Sequence, residues 1–443
     1  MNAIGAPLDR ADGRAKVTGT ARYSAENAFA DLAYAALVLS TIPAGRIKAI
    51  DTVAAKRAPG VLAIFTHENA PPAKQGKDPN EKVARHLAIL QDDEVRYDRQ
   101  PVALVVADTY ERAIDAASRV RVSYGPTSAV TDFEHAETFV PPDAGKGPEV
   151  DVRGEPEAAL ATAALRVDNV YTTPQEHHNP MEPHATVALW HGDSLTVYDA
   201  TQGVFPTRKR LAYVFDIPVS QVRVICPFVG GGFGCKGSVW PHTALAAMAA
   251  RALKRPVKLT LERPEMFESA GYRPITQQRV ALGAERTGKL VSTIHEVKTN
   301  TSVFDIFVEP CTSMTRMLYD VPKLRVKQTL VRLNFGTPTF MRLPVNRRDP
   351  SRSSRRWTNS RTRPVWIRSP CACAITPRSI PPKKFRIRAS RCVNAMRSRP
   401  NASVGRNEAR PRARCATTGN SWAGGWRPHP IRPIAAWPRR SCA

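Results

Sequence analysis

At Arg342 the chain changes character, and one folded body of uniform composition does not accommodate both sides of the change. The 101 residues after it hold 24 lysines and arginines but only two acids, Asp349 and Glu408. The 342 residues before it hold 41 basic and 37 acidic residues, a net of +4. The formal charge of +26 therefore belongs almost wholly to the tail. Read over the whole chain, that charge would point to nucleic acid. The front part, nearly neutral, does not.

The front part alternates apolar strands with amphipathic helices, the pattern of an α+β protein long enough to bury sizeable cores. No apolar run approaches the roughly 20 residues of a spanning helix. Met1–Arg10 contains no apolar signal core, so a cytoplasmic chain is expected. Only Cys226, Cys235 and Cys311 precede Arg342. None forms a CxxC, which argues against a disulfide framework, a zinc site or an iron–sulfur cluster.

Strands are expected at Ala33–Ser40, Val61–Thr66 and Pro101–Ala107. Helices are expected at Ala49–Ala58, stopped by Pro59-Gly60, and at Thr109–Val120, where Ala113, Ala116, Ala117 and Val120 share a face. Residues 70–80 read as a polar loop. This gives a first domain over 1–135. Residues 136–157, with four prolines and glycines in Pro141, Pro142, Gly145 and Gly147 alone, read as a linker. A second domain over 158–342 carries a hairpin, Thr186–Trp190 with Ser194–Tyr198. It continues with a strand at Gln221–Val229, the Ala-rich helix Pro241–Leu253, a strand at Pro256–Leu261, and a hairpin over Val280–Glu296 turning at Thr287-Gly288.

Three segments could carry chemistry. Gly230-Gly231-Gly232-Phe233-Gly234-Cys235-Lys236-Gly237 lies between a strand and a helix. Its glycines admit an anion close to the backbone, and a following helix N-terminus would add free N–H donors. Gly232, Gly234 and Gly237 have GxGxxG spacing, a weak signal, and Cys235 breaks the Walker form. A tight structural turn explains the same residues. The second segment, Glu176-His177-His178-Asn179-Pro180-Met181-Glu182-Pro183-His184, is rich in metal-ligand types, but its prolines and spacing argue against a metal site. A polar loop is the alternative. The third, Thr337–Arg342, offers a lone arginine that could clamp an anion or sit at the surface.

Together and in this order the segments are specific. The chain resembles the molybdenum-binding large subunit of the xanthine dehydrogenase/aldehyde oxidase family. Ala15-Lys16-Val17-Thr18-Gly19-Thr20-Ala21-Arg22-Tyr23 resembles the family's opening. Glu176–Thr186, Thr201-Gln202, Gly230–Lys236 and Phe340-Met341-Arg342 match later blocks, so the resemblance covers nearly all of 1–342. It implies an α/β hammerhead domain followed by an incomplete first molybdopterin-binding domain. The implied cofactor is molybdopterin, in bacteria often as the cytosine dinucleotide. The implied cofactor-facing residues are Gly231, Gly232, Phe233, Gly234 and Arg342, with Glu176 and His177 from another side. Gly237 stands where purine-oxidising members carry Glu, which favours aldehydes over purines; the implied substrate is an aldehyde or an N-heterocycle. The implied reaction is hydroxylation with water as oxygen donor. Electrons would leave through separate iron–sulfur and FAD subunits in a heterotrimer-type assembly. A partner could also carry an export signal to the periplasm. The family's general-base Glu lies in a Gly-Glu-x-Gly segment that this sequence lacks, so no catalytic residue is assigned, and no protein ligand to a metal either.

The tail reads as out-of-frame translation. Trp is always TGG, so in the frame starting at each third base Trp357-Thr358 gives GAC and Trp366-Ile367 gives GAT, both Asp. Permitted codons around Ser354–Thr362 spell Ser-Ala-Met-Asp-Glu-Leu-Ala-His, and Ser421–Arg427 permit Gly-Trp-Gly-Met-Ala, both like the family's continuation. Residues 343–443 are then expected to be disordered, with accidental cysteines and tryptophans. Two other classes are weighed. A nucleic-acid-binding tail has Ser351–Arg356 in its favour but no zinc spacing, RNP motif or basic helix face. An NAD-dependent dehydrogenase using Gly232, Gly234 and Gly237 lacks a Rossmann unit and a ribose-binding acid.

Overall fold

The computed structural model describes residues 9–77, 85–141 and 150–342, all within one unit. The tail, with its expected disorder, lies outside the described residues.

In chain order the front part runs α1 (Gly13–Val17), β1 (Ala33–Leu39), β2 (Gly45–Asp51), α2 (Val53–Lys56), β3 (Val61–Thr66), β4 (Glu94–Val95), β5 (Pro101–Ala107), α3 (Tyr110–Arg119) and β6 (Arg121–Pro126). Next come β7 (Thr138–Phe139), β8 (Val150–Arg153), α4 (Pro156–Thr162), β9 (Leu165–Thr173), β10 (Ala185–His191), β11 (Ser194–Asp199), α5 (Val204–Phe215) and β12 (Val222–Ile225). The described chain closes with α6 (Pro241–Leu253), β13 (Val257–Thr260), α7 (Met266–Ser269), β14 (Thr276–Ala284), β15 (Leu290–Ser302), α8 (Ser313–Leu318) and β16 (Lys323–Leu333). The fold is α+β.

The largest sheet, in order β12-β11-β10-β13-β1-β5-β3, draws strands from both halves of the chain. In it β5 lies between β1 and β3 and is buried at every position, which explains its apolar run. Leu104 and Val106 join a core with α5 and α6. Val105 joins Ala55, Ala116 and Val120 on the other face. A strand covered on both faces has no polar side to show. The hydroxyl of Thr109 caps α3 by accepting from the Arg112 amide at 3.3 Å, as a helix start requires. Helix α6 is buried from Pro241 to Ala250. Small alanines let it lie against the sheet, and Trp190 donates from Nε1 to the Ala247 carbonyl at 2.8 Å.

A second sheet, in order β7-β16-β15-β14-β9 with β8 also on β16, carries α4. A three-stranded sheet, β4-β2-β6, lies beside the first.

Three sequence expectations are corrected. Ala49–Ala58 is not one helix: Ala49–Asp51 pair with β6, and only Val53–Lys56 turns helical, started by Asp51 Oδ1 accepting from the Val53 amide at 2.9 Å. Strand pairing overrides the helix propensity of the alanines. The strand at Gln221–Val229 shortens to Val222–Ile225, after which Pro227, without an N–H, follows outside the ladder. The stretch 136–157 is more than a connector, since β7 and β8 both pair with β16 and α4 begins at Pro156.

Candidate functional site

The turn after β12 is built by three left-handed residues, Gly231 at φ 97°, Phe233 at φ 54° and Gly234 at φ 116°. Glycine takes this region freely, whereas Phe233 occupies it at a strain of order 1–3 kcal/mol that its surroundings must hold. The holders are visible. The Arg342 amide donates to the Phe233 carbonyl at 2.5 Å. The Gly234 amide donates to Gln202 Oε1 at 3.0 Å, and the Gln202 amide donates to the Lys236 carbonyl at 2.8 Å. A Cβ on Gly234 would run into the Phe340 carbonyl oxygen, so the Phe340-Met341 backbone passes directly over this glycine.

The histidine loop closes the same place from a second side. His178 Nε2 meets the Phe340 carbonyl at 2.7 Å. Glu176 pairs with Arg273 through the backbone and through a 3.2 Å ion pair, and Arg273 Nη2 donates to the Arg342 carbonyl at 3.2 Å. The His177 ring lies 4.8 Å from Phe267 and 6.0 Å from Tyr272. Arg263 holds the loop by donating to the Pro180 carbonyl at 2.5 Å and to that of Met181 at 3.2 Å. Thus Gly231, Gly232, Phe233, Gly234, Arg342, Glu176 and His177, drawn from three separated segments, meet in one place.

The electrostatics keep the histidines neutral. Burial lowers His177 and His178 below the ordinary imidazole value. Behind the turn burial lowers His184 well below it and His242 to about 3. Burial also lifts the Cys235 thiol to about 11 and Asp199 to about 6. Cys235 is thus no nucleophile.

One expectation is corrected. The glycines do not run straight into a helix N-terminus. They pass through a 3-10 turn, Cys235–Gly237, and α6 begins at Pro241. Several turn amides are committed inside the protein, Gly230 to Glu182 Oε2, Cys235 to the Gly232 carbonyl and Gly237 to that of Gly234. The turn is not a ring of free donors at a helix end. Lys236 pairs with Glu182 at 2.8 Å. Tyr272, Arg273 and Arg85 escaped the sequence reading. Arg85, from the front of the chain, is buried between Trp240 and Phe307 and donates to Ser238 and Thr339. A lone arginine beside an apolar segment carries no signal of such a role. For Gln202 the signal was its block resemblance.

A family model described as the a/b hammerhead domain of aldehyde oxidase and xanthine dehydrogenase matches residues 18–128, and one described as a molybdopterin cofactor-binding domain matches residues 142–346. The chain belongs to the xanthine dehydrogenase/aldehyde oxidase family. Among its relatives, the aldehyde oxidoreductase molybdenum-binding subunit PaoC of Escherichia coli K12 is 40% identical over 301 residues, covering 67% of this chain and 40% of that protein. The putative xanthine dehydrogenase molybdenum-binding subunit XdhA of the same organism is 33% identical over 308 residues, 67% of this chain and 41% of that one. Quinoline 2-oxidoreductase from Pseudomonas putida 86 shares the fold with a TM-score of 0.68 at 23% identity, over 76% of this chain and 45% of that one. The chain therefore spans about two fifths of the length of these two curated relatives.

The residues present fit a cofactor of this family on the side they supply. Phe233 stands out of the turn with its side chain exposed, and Nδ1 of His177 is buried without a hydrogen-bond partner among the described residues. A buried polar atom of that kind calls for a partner.

Proposed function

We propose that residues 1–342 are the front part of the molybdopterin-binding subunit of a hydroxylase that oxidises an aldehyde with water as oxygen donor, and that the chain from about residue 343 is out-of-frame translation. The observation that carries this reading is the junction itself, with Arg342 on Phe233, His178 on Phe340 and Gln202 on Gly234. Segments that resemble family blocks lie far apart in sequence, as much as 162 positions for His178 and Phe340, and are hydrogen-bonded in space.

When bound, molybdopterin would supply oxidation of a substrate carbon, with oxygen drawn from water. This chain's residues would do the holding. Phe233, with its side chain exposed, and Gly234 would line it, Arg342 would face it, and neutral His177 would close the second side. The cytosine dinucleotide is the form we expect. Aldehydes are favoured over purines because Gly237 offers no carboxylate, and the relative PaoC is named for aldehyde oxidation. Iron–sulfur and FAD subunits would take the electrons. The general-base Glu is missing from this sequence, so the chain would not turn over by itself. It would act in the cytoplasm, or in the periplasm if a partner exports it.

The test is a subunit with the frame restored after Arg342, made together with iron–sulfur and FAD subunits. Stoichiometric molybdenum and pterin, with aldehydes oxidised faster than xanthine, is the expected outcome. A folded restored subunit free of both would overturn the proposal. NAD gains no support, since the Gly234 and Gly237 amides donate within the protein.

A further inference from the structure

Lys236 is the one cation in the glycine-rich segment, and it is 1% exposed. Its ammonium lies 2.8 Å from Glu182 Oε2 and 2.9 Å from the Glu182 carbonyl oxygen. The same carboxylate oxygen accepts from the Gly230 amide at 2.7 Å, and the Glu182 amide donates back to the Gly230 carbonyl at 3.1 Å. A Cβ on Gly230 would collide with the Glu182 side chain, so the two segments lie backbone to backbone. Beyond Lys236, its carbonyl accepts from the Gln202 amide and from the Thr201 hydroxyl at 3.2 Å. One ion pair thus ties the histidine loop, the glycine turn and the start of α5 together.

The pair is a poor device for stability alone. Two charges leave water to form it, and Glu182 Oε1 is buried without a partner among the described residues. Desolvation on this scale is often not recovered, and an apolar pair of similar volume commonly folds as stably. What an apolar pair lacks is an acceptor for the Gly230 amide and a directional link across the two loops.

We propose that Glu182 and Lys236 are positioning residues. Their ion pair fixes the Gly230–Gly234 backbone in the strained form that, on the function proposed above, presents Phe233 and Gly234 to the cofactor.

The test compares amide hydrogen exchange in the full chain and its variants, with the denaturation midpoint read in parallel. In the double variant Glu182→Met/Lys236→Met the midpoint should stay near that of the parent. Exchange over residues 230–237 should rise about tenfold or more, while α6 exchanges as before, because opening is local. Glu182→Gln keeps an acceptor for the Gly230 amide but removes the ion pair, so its exchange over 230–237 should also rise, by less than in the double variant; parent-like exchange there would overturn the role of the ion pair. Parent-like exchange at 230–237 in the double variant overturns the proposal. So does loss of the folded state in that variant, which would assign the pair to stability. Cofactor content is measured separately, on the frame-restored subunit. If that subunit folds without molybdopterin while the exchange pattern is as expected, the function is refuted and the positioning role stands.

Discussion

Phe233 holds a left-handed backbone because its neighbours leave it no other course. Gly231 and Gly234 bend the chain on either side, and the Arg342 amide seizes its carbonyl. Gly234→Ala should therefore be among the most damaging small changes in the site, losing about 1–3 kcal/mol in urea denaturation through the positive φ and the Phe340 collision. Gly237→Ala is the control. A Cβ there meets nothing within 4 Å, and its stability should stay within roughly 0.5 kcal/mol of the parent. Buried histidines set the response to acid. His242 at about 3 and His295 at about 4 lie below their ordinary value of 6.5, so the unfolded chain takes up protons first as pH falls. Their stabilising effect is whole above pH 6.5 and is lost from there down to about 4 for His295 and about 3 for His242. Asp199 works in the opposite direction, because its rise from 3.8 to about 6 makes the folded state the better proton binder in that window. From pH 7 to 5 each histidine loses roughly 2 kcal/mol, while Asp199 returns about 1 and Glu265, lifted by burial from 4.5 to about 7, roughly 2; with buried His184 also lowered, the net is a modest destabilisation. The urea midpoint should fall over this range, and His242→Gln should flatten the fall. A midpoint that rises on acidification would contradict the burial of these two histidines.

Helix α6 shows what an element needs in order to be read from sequence. Its bounds follow from Pro241 and the alanine run, and it is buried as such a run requires. Ala246, fully buried against the sheet, has no room to grow, and Ala246→Leu should destabilise by about 1–3 kcal/mol in the same assay. Strands β1 and β5 and helix α3 were legible for the same reason, that local pattern and tertiary need agree. The helix expected over Ala49–Ala58 failed where they disagree, since the ladder to β6 decides for Ala49–Asp51. The two sides of the site differ likewise. Its segments could be picked out as resemblances, but not the bonds between them. Hydrogen bonds such as His178 to Phe340 span 162 positions, and no sequence period records them. Glu182 was visible only as one more polar residue in a loop.

On the scale of the whole molecule, the front of the chain is no free-standing body. Strands β1, β3 and β5 finish a sheet whose other strands come from beyond residue 184, and Leu37, Leu104 and Val106 share one core with α6. Arg85 extends that dependence to the site by bridging Ser238 and Thr339. A fragment of residues 1–135 should therefore show no cooperative unfolding transition, or one at a much lower urea midpoint than the full chain, when followed by circular dichroism. An equally stable fragment would contradict the shared core. Charge divides the molecule differently, with the front 342 residues near neutrality and the remainder strongly basic. We attribute that division to a change of reading frame, which leaves the function with the front. The measurement that tests this most directly is the DNA sequence from codon 335 to the end of the chain and beyond, read in all frames. A second open frame should continue after Phe340-Met341-Arg342 with Met-Asp-Glu-Leu-Ala and reach a Gly-Glu-x-Gly segment. If no such frame is open, the basic tail is a genuine part of the protein, and its function does not lie in the front alone.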